Sequence, residues 1–262
     1  MSRALPAALH AEWTKARTAP GTIWLLLAAI ALTVAVSVAA AAAVTCPHPG
    51  CGQDPAKVSL AGIDLGQAVI ALLAVLMISG EYSTGMIRAT LTAIPHRVTM
   101  LAAKAAVLTS LVLAAAALAV LACLLAGRLI LPGRGLGPAH GYPLLSPGDG
   151  PVLRAAAGSV LYLALIGLLG LGIATAVRDA AAGIGIVLGL LYLFPIIAGA
   201  VGDPGWQRRL QQIGPMTAGL AIQATTSLNT LPIQPWAGLG VLAAWSAAAL
   251  ALGGLLLRLR DA

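Results

Sequence analysis

Apolar residues in this chain gather in long, almost uninterrupted runs rather than at the alternating positions typical of β-strands. Six such runs approach or exceed the roughly 20 residues that an α-helix needs to cross a hydrocarbon core of about 30 Å. Barrel strands would instead alternate apolar and polar residues. The pattern predicts an all-α polytopic membrane protein whose transmembrane helices cover about 22–44, 63–80, 100–127, 153–177, 181–201 and 236–257.

The segment before the first span, residues 5–19, has the spacing of a short amphipathic helix. Four apolar residues fall on one face: Leu5, Leu9, Trp13 and Ala16. A helix of this kind lies in the membrane interface with its tryptophan at headgroup depth. Pro20 and Gly21 then favour a break before the chain crosses the membrane. The alternative is an unstructured cytoplasmic tail.

Composition supports the membrane assignment, because 60% of the residues are hydrophobic and only 9% are charged. The net charge of +7 arises from Lys and Arg residues scattered at the ends of apolar runs. Basic residues in such places orient membrane proteins, so we do not expect a nucleic-acid partner. Their distribution favours cytoplasmic N- and C-termini. The first apolar run is longer than a signal-peptide core, which favours an uncleaved first span.

The loops on the predicted outer side differ in character. Residues 45–62 and 128–152 are rich in Gly and Pro and are expected to be irregular. Residues 203–235 are less polar, and Met216 to Ala224 could form a short helix between two prolines. Cys46 and Cys51 favour a small disulfide loop on an oxidising face, while free thiols and a metal site remain open. The metal site is the least favoured of the three, since two thiolates and the imidazole of His48 fall short of a closed set of four ligands.

The predicted spans carry no charged residue near their middle, and Asp64 and Lys104 lie near span ends where a charge can reach the headgroups. Intramembrane charges usually mark ion or proton pathways. Their absence argues against a carrier coupled to ions and against an intramembrane enzyme. The sequence also lacks an H-E-x-x-H or G-x-S-x-G pattern, so we predict no catalytic residues.

The sequence contains no phosphate-binding loop. Such a loop needs a lysine after a glycine, so that backbone amides and the ammonium converge on the phosphates. The three lysines are Lys15, Lys57 and Lys104, and each follows threonine or alanine. If this protein moves a solute uphill, the energy must therefore come from a partner.

Polar residues beside the membrane are concentrated in the connector between the second and third spans, residues 81–99. Taken alone, this stretch could be an ordinary interfacial loop with charges that set the topology. Its residues stand, however, in the order E-x-x-x-G-x(5)-L-x-x-x-P-x-R-x(6)-K, formed by Glu81, Gly85, Leu91, Pro95, Arg97 and Lys104. Arg88 lies within the same stretch and, like Arg97, is a candidate ion-pair partner of Glu81.

This order resembles the permease subunits of type-2 ATP-binding-cassette (ABC) exporters, and the likeness covers most of the chain. The run His-Ala-Glu-Trp-Thr-Lys at 10–15 is similar to the amphipathic entrance helix of actinobacterial members. The ending at 258–262 and the six predicted spans also resemble that family. Met86 and His96 depart from its usual pattern, and they affect the expected geometry of coupling.

The resemblance implies that residues 5–19 form an "elbow" helix, with Glu12, Trp13, Lys15 and Arg17 among its members. It implies that 81–99 couples to an ATPase through Glu81, Gly85, Arg88, Leu91, Pro95, Arg97 and Lys104. It also implies that 203–235 contains the short outer helices that close the exit. The expected assembly contains two ATPase subunits, which bind ATP and Mg, and a second permease, identical or homologous. This chain would bind no cofactor itself. It would export a hydrophobic or amphipathic substrate across a bacterial cytoplasmic membrane, in contact with lipid.

Three other functions remain open on the sequence. A passive six-helix channel needs no ATPase, and a membrane scaffold would not transport at all. A lipid-modifying enzyme would need clustered catalytic residues, which the spans do not supply. Polar residues within the spans are weak candidates for substrate contact, and helix–helix hydrogen bonding is favoured for them: Thr33, Ser37 and Gln67. Gly185 and Gly189 form a G-x-x-x-G for which we expect packing within the chain.

Overall fold

The computed structural model describes residues 4–46, 51–83, 97–138, 141–142, 145–146 and 148–259. Within this part of the chain, ten α-helices and no strands are found, which confirms the all-α prediction. The helices are α1 (Ala4–Thr18), α2 (Pro20–Ala43), α3 (Pro55–Ser59), α4 (Ile63–Ser83), α5 (Arg97–Ile130), α6 (Gly150–Val177), α7 (Ala180–Ala200), α8 (Pro204–Ile213), α9 (Pro215–Gly219) and α10 (Pro235–Leu259).

Six of these helices are long and apolar enough to cross a membrane: α2, α4, α5, α6, α7 and α10. They overlap all of the predicted spans, so the number and order of spans are as expected. The ends differ by a few residues, because apolar content marks the hydrocarbon core while helices continue into the interface. α5 is the longest, with 34 residues.

α1 and α2 are separate helices that meet at Ala19. This residue is extended (φ −80°, ψ 108°), and Pro20 occupies the first turn of α2. A proline fits there, because the first backbone N–H groups of a helix need no intrahelical acceptor, and it disfavours helical geometry in the residue before it. The break therefore falls at Ala19, one residue before the predicted Pro20–Gly21.

The centre of the bundle is formed by α4, α5 and α6. Half or more of the residues in their apolar stretches are buried, compared with less than a quarter in α2, α7 and α10. α2 packs against α4 and α5, α7 against α4 and α6, and α10 mainly against α6. The three outer helices therefore present most of their apolar surface away from the described chain.

The crossing of α6 and α10 depends on glycines. A Cβ on Gly172 would lie 2.5 Å from the carbonyl carbon of Ala249, and one on Gly253 would lie 2.6 Å from the Gly172 oxygen. By contrast, a Cβ on Gly185 or Gly189 of α7 would have no described atom within 4 Å. The expectation that this G-x-x-x-G packs inside the chain is therefore wrong, since both glycines face outward.

The two ends of the bundle are distinct. At the end that contains α1, Arg178 in the α6–α7 turn stacks over the ring of Tyr82 at 5.5 Å. We call this the α1 end. The opposite end contains a disulfide between Cys46 and Cys51, whose Cα atoms are 6.0 Å apart. We call this the disulfide end. The sequence-based orientation predicts that the α1 end is cytoplasmic.

The segments at the disulfide end contain more helix than the sequence predicted. Asp54 caps α3 by accepting hydrogen bonds from the backbone of Ala56 and Lys57. The helix expected at 216–224 is α9 followed by a 3-10 turn over Leu220–Gln223. α8 is one of the short helices that the family resemblance implies for residues 203–235, and its start at Asp203 before Pro204 is typical of a helix N-terminus.

Candidate functional site: a buried charge cluster

Four charged side chains from three helices meet at the α1 end. α1 contributes Glu12 and Lys15, the end of α4 contributes Glu81, and α5 contributes Lys104. We call these four residues the charge cluster. Glu81 lies just before residues 84–96 and α5 begins just after them. The cluster therefore joins α1 to both spans that flank this connector.

Lys104 lies at the centre of the cluster and is 1% exposed. Its Nζ is 2.6 Å from Oε2 of Glu12 and 3.0 Å from Oε1 of Glu81. It also lies 3.4 Å from the carbonyl oxygen of Met77. An ammonium has three hydrogens to donate, and each finds an acceptor here. The hydrogen-bonding capacity of Lys104 is therefore fully used.

Lys15 bridges the same two glutamates from the solvent side. Its Nζ lies 2.9 Å from Oε1 of Glu12 and 2.8 Å from Oε1 of Glu81, with 35% of the side chain exposed. Each lysine thus contacts both glutamates, and the formal charges cancel. This balance matters, because an unpaired charge in a low-dielectric interior carries a desolvation cost of several kcal/mol.

Glu81 is the least satisfied member of the cluster. Its Oε1 accepts hydrogen bonds from both lysines, while Oε2 is buried and accepts none from the part of the chain that the structure describes. Glu12 instead uses both oxygens. A buried acceptor without a donor costs about 1–3 kcal/mol, and more when charged. Glu81 can therefore accept one further hydrogen bond.

The face of α1 that packs on the bundle differs from the predicted apolar face. Ala8, Glu12 and Ala16 are buried at four-residue spacing, whereas Trp13 is 40% exposed. Ala8 and Ala16, one on each side of Glu12, are small enough for α1 to approach α5 closely. This approach brings the Glu12 carboxylate to Lys104. The sequence pattern predicted an apolar face for the membrane interface that includes Trp13. It did not predict which face contacts the bundle, because apolar periodicity cannot reveal a buried glutamate. The Leu5 side chain lies outside the described residues.

The expectation that Lys104 reaches the headgroups is also wrong. Its ammonium turns inward because two carboxylates compensate it there. One signal in the sequence could have suggested this pairing: the only two glutamates of the chain, Glu12 and Glu81, lie on the predicted cytoplasmic side, as do two of its three lysines, Lys15 and Lys104. Arg17, in contrast, is exposed.

The pKa of Lys15 is raised above its ordinary value of 10.5. Partial burial acts in the opposite direction, but the hydrogen bonds to Glu81 and Glu12 and the charges of both carboxylates outweigh it. A raised pKa means that the folded protein binds this proton more tightly than the unfolded chain does. The stabilisation by Lys15 is complete at pH values below the pKa that Lys15 has in the unfolded chain. It is lost as the pH rises through the pKa that Lys15 has in the folded protein.

We therefore expect the stabilising effect of Lys15 to be constant near neutral pH and to shrink above about pH 10.5, the ordinary lysine pKa. The measurement compares melting temperatures of the wild type and Lys15→Gln between pH 7 and 11. Lys15→Arg is the control, because arginine keeps its charge over this range and should preserve the difference. If the difference in melting temperature between the wild type and Lys15→Gln stays constant up to pH 11, Lys15 does not stabilise the fold through its charge.

A cavity of about 410 Å³ lies beside the cluster, between α1, α2 and α4. All four cluster residues contribute to its lining, and Leu25, Leu73, Leu76 and Met77 supply apolar walls. The site therefore combines a compensated set of charges with an apolar recess at the same end of the bundle.

The other predicted coupling residues lie outside the part of the chain that the structure describes. Gly85, Arg88, Leu91 and Pro95 lie outside the described residues, as does the side chain of Arg97 at the start of α5. Pairing of Glu81 with Arg88 or Arg97 therefore stays a prediction, and the two lysines are its partners in the described part of the chain.

The candidate pathway residues lie in the interior of this chain. Thr33, Ser37 and Gln67 are all at most 2% exposed. Ser37 accepts a hydrogen bond from the backbone N–H of Gly62 at 3.0 Å, and Gln67 accepts one from the hydroxyl of Tyr162. The Ser37 contact joins α2 to the residue before α4 and the Gln67 contact joins α4 to α6, which agrees with the favoured role in helix–helix hydrogen bonding. The Thr33 hydroxyl instead donates to the carbonyl oxygen of Ala29 in its own helix.

The disulfide between Cys46 and Cys51 is the arrangement that the sequence favoured over free thiols and a metal site. The hydroxyl of Tyr142 lies 3.4 Å from Sγ of Cys51. Within the described ranges, no three His, Cys, Asp or Glu side chains lie close enough together to hold a metal ion. Cys123 is a buried free cysteine.

In comparisons with known proteins, the chain matches no protein-family model and no curated protein.

Proposed function

We propose that this chain is the permease subunit of an ABC exporter and that the charge cluster transmits a partner's movement into the spans. The observation that carries the proposal is the pair of bonds from Lys104 to Glu81 and Glu12. They tie the end of α4 to α5 and α1. A force applied to residues 84–96 would therefore move three helices together.

The residues of this chain are consistent with transport that is driven by ATP hydrolysis on a partner subunit. It has no phosphate-binding loop, and the exposed stretches of α2, α7 and α10 offer apolar surface to lipid or to a second permease. The substrate class that suits the apolar cavity beside the cluster is hydrophobic or amphipathic. Transport would proceed by alternating access, with two ATPase subunits at the α1 end.

The proposal is tested by purifying the tagged chain from its native membrane and identifying the proteins bound to it. A nucleotide-binding subunit is expected in the complex, with ATP-dependent efflux after both are reconstituted in liposomes. If the chain instead passes solutes down their gradient without a partner, it is a passive channel. Uphill accumulation by the chain alone would also contradict the proposal.

Within that complex, Glu81→Gln is expected to lower ATP-dependent transport at least about tenfold while ATP hydrolysis continues. The amide keeps the shape of the side chain but loses the charge that holds both lysines, so the end of α4 is released from α1 and α5. Transport and hydrolysis are measured at equal protein levels in the same liposomes.

The matched control is Glu12→Gln, the same substitution at the other glutamate of the chain. It weakens the attachment of α1 but leaves Glu81 bonded to both lysines. We expect a smaller loss of transport from Glu12→Gln. Wild-type transport by Glu81→Gln would remove the cluster from the coupling mechanism.

A further inference from the structure

A second cavity, of about 380 Å³, lies at the disulfide end. It lies between α3, the start of α4 and the segment that runs from the end of α8 to Pro232. Charged and amide side chains line it together with aliphatic residues and a proline, and its polar members include Lys57, Asp64 and Gln223. Its volume falls at the small end of the 300–1,000 Å³ range of ligand sites, so a ligand must be small.

Two polar groups of this cavity have unused hydrogen-bonding capacity. Gln223 is 2% exposed, and no described residue accepts a hydrogen bond from its Nε2. The backbone oxygen of Asp64 accepts hydrogen bonds from Gln67 and Tyr192, but among described residues none donates to its carboxylate. A buried donor without an acceptor is costly. The cavity therefore offers a donor and an acceptor to a ligand.

The charges of the lining are opposite and equal. Lys57 carries the positive charge and Asp64 the negative one, and aliphatic side chains such as Leu220 and Leu231 occupy the remaining wall. A ligand with a single charge would leave one of the two unmatched. A ligand with both charges and a short apolar part would match the whole lining.

The wall that carries Gln223 is held in place by the side chains of Asp54 and Arg154. The carboxylate of Asp54 accepts hydrogen bonds from the backbone N–H groups of Thr225 and Thr226, at 2.5 and 3.1 Å. Arg154 donates to the carbonyl oxygen of Ala224 at 2.6 Å. These contacts fix the residues directly after Gln223. Ligand binding would therefore carry little conformational-entropy cost for ordering this wall of the site.

We propose that this cavity binds a small zwitterion with an aliphatic side chain, of the α-amino-acid class. Its ammonium binds the carboxylate of Asp64. Its carboxylate binds the amide of Gln223 and the ammonium of Lys57. This binding does not depend on ATP-driven transport, so it can be tested on the chain alone.

The experiment measures binding of three probes to the full chain in nanodiscs by calorimetry. L-leucine carries both charges, L-leucinamide lacks the carboxylate, and N-acetyl-L-leucine lacks the ammonium. We expect L-leucine to bind at least about tenfold more tightly than either derivative. Equal affinity for all three, or no saturation by L-leucine at millimolar concentration, would overturn the proposal.

Variants assign each contact. Asp64→Asn should weaken L-leucine and L-leucinamide about tenfold and leave N-acetyl-L-leucine unchanged. Lys57→Gln, at an exposed position that the fold tolerates, should weaken L-leucine and N-acetyl-L-leucine instead. Gln223→Met keeps the side-chain length and removes the donor, so it should follow the Lys57 pattern.

Asp149→Asn is the matched control, because Asp149 is an exposed carboxylate away from this cavity. It should leave all three affinities unchanged. If Asp149→Asn and Asp64→Asn have equal effects, or if each variant weakens the three probes uniformly, the proposed contacts are wrong.

Discussion

Replacing Lys104 with methionine is expected to destabilise the protein by about 3–5 kcal/mol, the usual cost of removing one partner from a buried ion pair. Methionine is close to lysine in length, so the packing of α5 is largely kept. What is lost is the ammonium that is 1% exposed and contacts both glutamates. Lys15 remains, but a single positive charge cannot compensate two buried carboxylates.

The measurement is unfolding of the full chain in nanodiscs of fixed lipid composition, followed by tryptophan fluorescence. Arg128→Met is the matched control, since Arg128 is an exposed cation near the other end of the same helix. It should change stability little. The triple variant Glu12→Gln, Glu81→Gln, Lys104→Met should recover part of the loss, because no carboxylate is then left without its lysine. Equal stability of Lys104→Met and the wild type would show that the cluster does not hold these helices together.

The second large effect is expected for Gly172→Ala in α6. The added Cβ would lie 2.5 Å from the carbonyl carbon of Ala249 and 2.6 Å from the backbone nitrogen of Leu250. Backbone atoms cannot rotate away, so α6 and α10 must separate. Overpacking of this kind typically costs about 1–3 kcal/mol, and occasionally more.

Gly185→Ala provides the control for this prediction. The substitution is the same and the position is also within a long helix, but the added Cβ meets no described atom within 4 Å. Alanine favours a helix over glycine by about 1 kcal/mol, so stability should stay equal or rise. Unfolding of both variants is compared in the same nanodiscs. A stable Gly172→Ala together with an unstable Gly185→Ala would mean that the α6–α10 contact is misplaced and α7 is covered instead.

The helical spans could be predicted from sequence with good accuracy, whereas the charge cluster could not. All six spans were located, because a run of apolar residues can satisfy its backbone inside a membrane only as a helix. The lysine at position 104 was expected to reach the headgroups because its surroundings were unknown. Its partner Glu12 lies 92 residues away in the chain.

The glycines also show that contacts between helices could not be predicted from the sequence. Gly185 and Gly189 have the spacing of a packing motif and yet face outward. Gly172 and Gly253 lie where α6 and α10 cross closely, although neither has a second glycine four residues away. Glycine spacing on one helix says that a close approach is possible. Whether a neighbour is present depends on where a second helix, such as α10, crosses it.

The amino-acid sequence alone determined that the chain forms a bundle of membrane-spanning helices. It also determined which residues each span covers and that the first span begins at a proline. These features follow from local chemistry: the length of apolar runs, the fixed φ of proline and the need to satisfy backbone groups within one segment. Only the tertiary structure decided which charges meet, which glycines are crowded and which cavities carry unsatisfied polar groups. Such properties depend on the distance between residues far apart in the chain, and both desolvation and Coulomb energies change steeply over a few ångströms.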